Sequence, residues 1–111
     1  LRGAIVRHER FVGVVLGSTI DGVAVVPVVN PDQRGGRRHR SDVAHDEAFL
    51  PNDCVIRAGD PKLIRSTLIM SGRVSERTLA SIELAMRREA TARKFEDRHH
   101  AGPHHERCVR L

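Results

Sequence analysis

Four arginines stand within seven residues in Arg34-Gly35-Gly36-Arg37-Arg38-His39-Arg40. A planar guanidinium presents several donors in a fixed fork, so such a cluster suits an anion with several oxygens, above all phosphate. The cluster lies inside Asn30 to Asp46, a stretch rich in Pro, Gly and Asp with almost nothing apolar. It reads as a long loop and, with its arginines, as a flexible anion-binding arm. The bland alternative is a solvated loop that touches nothing. Of nineteen basic residues, seventeen are arginine and two, Lys62 and Lys94, are lysine; the net charge is +5. That balance points to a nucleic-acid partner, with arginine-rich coding bias on a solvated surface as the competing explanation. Four of seven histidines fall in His99-His100-Ala101-Gly102-Pro103-His104-His105. No carboxylate or thiolate stands there at a ligand spacing, so no metal site is expected. Cys54 and Cys108 form neither a disulfide framework nor a metal motif and read as free thiols.

These groups need a scaffold, and 111 residues suffice for one hydrophobic core. Forty per cent of the residues are hydrophobic, and no apolar run approaches the roughly 20 residues of a membrane-spanning helix. The opening Leu1-Arg2-Gly3-Ala4-Ile5 leads into nothing like a secretory signal, so a cytoplasmic protein without membrane contact or cofactor is expected.

Gly3 to Arg7 reads as a first strand, His8-Glu9-Arg10 as a polar turn, and Phe11 to Leu16 as the second strand of a hairpin. Asp21-Gly22 signals the next tight turn, and Val23 to Val29 a third strand. Pro27 cannot donate to a ladder and marks an edge, a bulge or a sharp bend in that strand. After the arginine loop, Phe49 to Ala58 reads as a fourth strand, broken by Gly59-Asp60-Pro61. Leu63-Ile64 suggests a helical turn, and Leu68-Ile69-Met70 a last short strand. Ser75 is placed to cap a helix that carries Leu79, Ile82, Ala85, Met86 and Ala90 on one stripe. Glu83 with Arg87 and Glu89 with Arg93 are spaced for helical ion pairs, each worth about 0.3 kcal/mol. The helix is expected to end near Arg98, leaving 99–111 as a His-rich, flexible tail to a domain of 1–98. The fold class is mainly β: a small barrel of antiparallel strands with a C-terminal amphipathic helix.

The order of motifs is more specific than any one of them. Arg2-Gly3-x-Ile5 opens strand one, Arg10-Phe11-Val12-x-Val14-Val15-Leu16 opens strand two, and Val25-Val26-Pro27-Val28 lies in strand three. Asp53-x-Val55-Ile56 and Gly72-Arg73-Val74-Ser75 follow, then Leu79-x-x-Ile82-x-x-Ala85-Met86. In this colinear order the chain, from residue 2 to about 90, resembles the MazF/PemK ribonuclease toxins.

The resemblance implies an SH3-like barrel that acts as a homodimer, cuts single-stranded RNA without a metal, and is held inactive by a cognate antitoxin. It aligns Arg10 with the family's catalytic arginine, which would stabilise charge on the phosphate during attack by the RNA's own 2′-hydroxyl. His8 and Glu9, in the same turn, are candidates for proton transfer by proximity alone. Arg34, Arg37, Arg38 and Arg40 would guide the backbone. Two positions depart from the family pattern. Val29 falls where the family carries a Ser or Thr, with Asn30 beside it as the nearest hydrogen-bonding substitute, and Phe11 replaces the proline after the arginine. Ser18 and Thr19 are the nearest hydroxyls to take the place of that Ser or Thr, and turn chemistry explains them at least as well. Val29 therefore also raises a non-enzymatic member of this fold that binds a protein. A plain basic nucleic-acid-binding barrel ranks last, because there is no Trp or Tyr and only Phe11, Phe49 and Phe95 to stack on bases.

Overall fold

A computed structural model describes the backbone of residues 1–110 and the side chains of 1–98. Seven strands and one helix follow in order: β1 (Ala4–His8), β2 (Phe11–Thr19), β3 (Gly22–Val29), β4 (Asp42–Val43), β5 (Val55–Arg57), β6 (Lys62–Ile64), β7 (Ile69–Arg73) and α1 (Glu76–Arg110). All pairings are antiparallel. The sheet runs β4-β5-β3-β2-β1-β7, with β6 also on β3, and the whole is a mainly β, barrel-like α+β fold. No helix among the described residues is long and apolar enough to cross a membrane.

Strand β3 organises the sheet. One of its edges pairs with β2, while the other is shared: Val23 to Val25 meet β6, and Val28 and Val29 meet β5. Pro27 falls between the two shared stretches, where one partner strand has ended and the next has begun. A residue without an N–H costs least at such a junction. Two bulges interrupt the neighbouring ladders. One lies at Leu16, between Val15 and Gly17, and the other at Ser71, whose hydroxyl donates to the Ile5 carbonyl at 3.5 Å.

Successive strand residues face opposite sides, and here both sides are buried. Ile5, Val14 and Val26 join Leu50, Ile56, Val74 and Ile82 in one cluster, against which Leu79, Ala85 and Met86 of α1 pack. Their immediate neighbours Ala4, Val15 and Val25 form a second cluster with Val6, covered by Phe11, Ile64 and Leu68. Two-sided burial is why the strands read as unbroken apolar runs and show no alternation.

Several boundaries differ from the sequence reading. The fourth strand is only Val55–Arg57, and a two-residue strand, β4, forms inside the arginine loop. Leu63-Ile64 belongs to strand β6 and is not a helical turn, because pairing with Val23 and Ala24 holds it extended. The second hairpin turns at Ile20-Asp21, so that Gly22 opens β3. Gly22 has φ +145°, and a Cβ there would lie 2.6 Å from the Ile64 carbonyl oxygen. Helix α1 continues past Arg98 to Arg110, since extending a formed helix carries no new nucleation cost, although Pro103 contributes no N–H to it. The side chains of the His-rich segment, with the expectation attached to them, lie outside the described residues.

The helix start is as predicted and better secured. The Ser75 hydroxyl oxygen accepts the Thr78 amide at 3.2 Å, satisfying an otherwise orphaned donor. Glu47 reaches in from the loop between β4 and β5 and accepts from the Ser75 amide at 2.9 Å, the Ser75 hydroxyl at 2.9 Å and the Thr78 hydroxyl at 2.5 Å.

Candidate functional site

Arg10 occupies the second position of the two-residue turn joining β1 to β2. Its neighbour Glu9 has φ +52°, the one positive φ outside glycine among the described residues. Such a conformation is uncommon for a residue with a Cβ. Arg10 is exposed and makes no hydrogen bond or ion pair among the described residues. It lines a groove of about 740 Å³ together with Val28, Val29, Asn30, Arg34, Asp53 and Arg57.

Strand register builds this groove. Val29 pairs with Val55 and Val28 with Ile56, so the residues just beyond, Asn30 and Asp53, are carried together. The Asn30 amide nitrogen donates to Asp53 Oδ2 at 2.9 Å, and its oxygen accepts the Asp32 N–H at 3.0 Å. Two further turns fold the loop back over this end, through Gln33 N–H to the Asn30 carbonyl at 3.3 Å and Gly36 N–H to the Gln33 carbonyl at 2.7 Å. Arg34 thereby comes to the same groove as Arg10.

The four loop arginines do not act alike. Arg38 is paired with Asp32, one nitrogen lying 3.0 Å from each carboxylate oxygen. Arg40 grips Glu89 at 2.7 and 3.2 Å and also binds Glu96, tying the loop to α1. These hydrogen bonds from Arg40, with those from Arg93, hold the Glu89 carboxyl below its ordinary range. Arg37 offers its carbonyl to Arg57 at 2.6 Å. Of these four, the guanidiniums of Arg34 and Arg37 are without a partner among the described residues. The expected free arm is thus a loop fastened at several points: the acidic partners lie close enough to compete for its cations.

Arg57, which the sequence reading passed over inside an apolar strand, forms the groove's fixed wall. Its Nε and Nη2 donate to the two oxygens of Asp42 at 3.0 and 3.3 Å, and the pair is largely buried, with side chains 15% and 9% exposed. Burial pushes the Asp42 carboxyl up, but the hydrogen bonds from Arg57 and the His39 amide outweigh it and hold the group below its ordinary value. Nothing in the sequence marks this pair, whose members are fifteen residues apart and joined only by β4–β5 pairing.

The other candidates stand elsewhere. His8 pairs across the hairpin with Phe11, and neither His8 nor Glu9 lines the groove. Ser18 and Thr19 lie at the far end of β2, seven and eight residues from Phe11, or up to about 26 Å at ~3.3 Å per residue. Thr19 is engaged in its own turn, donating to the Gly22 carbonyl and accepting the Asp21 N–H, both at 3.2 Å. On α1, Arg93 binds Glu89 as expected, but Glu83 binds Arg2 and not Arg87. Among the described residues, no three His, Cys, Asp or Glu side chains stand close enough together to hold a metal ion. Cys54, on the groove wall, is a free thiol that burial and the adjacent Asp53 push up from its ordinary value.

The arrangement suits an anionic chain lying across an open groove, lined by two unpaired guanidiniums and by apolar Val28 and Val29. No family model matches this chain, and no curated protein or solved structure matches it either.

Proposed function

We propose that this chain is a metal-independent endoribonuclease of the MazF/PemK toxin type, cutting single-stranded RNA in the Arg10 groove. The observation that carries the reading is the unpaired guanidinium of Arg10, exposed in a groove that it shares with Arg34. Arg38, Arg40 and Arg57 are each bound to a carboxylate, whereas Arg10, among the described residues, is left free to meet a phosphate. In the proposed reaction the 2′-hydroxyl attacks the adjacent phosphorus, and Arg10 binds the non-bridging oxygens as negative charge gathers on them. Arg34 holds a neighbouring phosphate. DNA lacks the nucleophile and is not cut. In this reading the protein works as a cytoplasmic homodimer, and an antitoxin closes the groove. A second reading, a non-enzymatic relative acting by protein binding, is favoured by Val29, an apolar residue on the groove wall where the resemblance calls for a hydroxyl.

The test is incubation of purified protein with a mixed-sequence RNA in EDTA. The expected products carry 2′,3′-cyclic phosphate and 5′-hydroxyl ends, and Arg10→Ala, folded by circular dichroism, gives none. Intact RNA after exposure to the wild type rejects the nuclease, and toxicity in cells without RNA cleavage supports the second reading.

A further inference from the structure

Attack by a 2′-hydroxyl releases a proton, and a guanidinium, all donors and no acceptor, cannot take it. The sequence neighbours His8 and Glu9 do not line the groove. Asp53 does, and it is the only carboxylate among the described residues that line it. Three arginines share that lining, yet none lies within ion-pair distance of Asp53: Arg57 is bound to Asp42, and Arg10 and Arg34 are unpaired. One oxygen of Asp53 is fixed by the Asn30 amide at 2.9 Å. The other meets only the Cys54 thiol, a weak donor at 3.8 Å. Asn30 is itself oriented by the Asp32 N–H, so the tether has a defined direction. A carboxylate held by one oxygen, with the second available and no cation neutralising it, is equipped to accept a proton.

We infer that Asp53 is the general base of the Arg10 groove and that Asn30 is its positioning residue; the inference rests on the ribonuclease reading above. Asp53 Oδ1 takes the proton as the 2′-oxygen bonds to phosphorus. The bond from phosphorus to the 5′-oxygen breaks, the leaving oxygen takes its electron pair and a proton from water, and Asp53 later returns its proton to solvent.

Asp53→Asn keeps an acceptor for the Asn30 amide and removes the basicity, so it separates chemistry from scaffolding. Single-turnover cleavage by the full chain is expected to fall at least ~100-fold. Binding of a fully 2′-O-methylated single-stranded RNA, which cannot react, should stay within about threefold of the wild type or tighten. The defect should persist on RNA with a 5′-bridging sulfur, a leaving group that needs no proton. Cleavage near the wild-type rate, a binding loss that matches the rate loss, or recovery on the sulfur substrate would each overturn the assignment. Should Asp53→Asn not fold, Asp53→Ala takes its place: added formate should restore cleavage, and a folded variant that formate does not accelerate counts against Asp53. If the wild type cuts RNA and Arg10→Ala does not, survival of cleavage in Asp53→Asn removes only the base. If the wild type cuts nothing, the nuclease reading itself is lost.

Discussion

Glu47 illustrates how single residues here are defined by partners distant in sequence. Burial would raise its carboxyl, but the Thr78 hydroxyl and the amide and hydroxyl of Ser75 hold it below its ordinary value of 4.5. A carboxyl depressed in the folded state stabilises the fold above its unfolded pKa, and that contribution is lost as pH falls through the folded value. Asp42 has the same sign. Melting temperature is therefore expected to be level near neutrality and to drop once pH falls below about 4.5. Glu47→Gln should melt lower at pH 7 and show a shallower acid decline; an unchanged decline would mean that Glu47 carries none of it. None of this was legible in the sequence, because Glu47 and Ser75 are twenty-eight residues apart. Arg10 was legible as a turn residue and, through the family likeness, as a candidate. Asp53 was noticed only as part of an apolar strand motif, since its neighbourhood depends on how β3 and β5 align.

Elements with a repeating local signal were the ones the sequence revealed. The first hairpin, β3 and the start of α1 each combine an apolar run with a turn or capping residue. The three-residue strands β5 and β6 have no period long enough to detect, and β4 is shorter still. What holds them is pairing to partners such as Val23 and Val29, a non-local interaction invisible in a short window. The helix cap is local, and its contribution is correspondingly predictable. Ser75→Ala removes the oxygen that accepts the Thr78 amide and should cost about 1 kcal/mol. For a domain of this size that is a fall of about 4 °C or more in melting temperature. No change in thermal melts would show that Glu47 alone secures the helix start.

At the scale of the whole molecule, helix α1 is held to the rest of the chain by both apolar and polar contacts. Ile82 is fully buried in the larger core cluster, and further along the helix Glu89 and Arg93 reach back to Arg40 and the Gly59 carbonyl. The apolar contact dominates, since an exposed ion pair is worth at most about 1 kcal/mol. Ile82→Ala should destabilise the fold by roughly 2–5 kcal/mol in urea titration. A value below about 1 kcal/mol would mean that the helix contributes little to the core. The polar contacts have a different consequence: they consume Arg38 and Arg40 in fastening the loop and leave Arg10 and Arg34 facing the groove. Positive charge in the sequence thus overstates the number of cations free to meet a phosphate. If Arg10 is the guanidinium that acts on RNA, cleavage rates in EDTA will separate Arg10→Ala from Arg38→Ala. Arg10→Ala is expected to lose at least ~100-fold, and Arg38→Ala to stay within a few-fold of the wild type. A folded Arg10→Ala protein that cuts RNA as fast as the wild type would contradict that assignment.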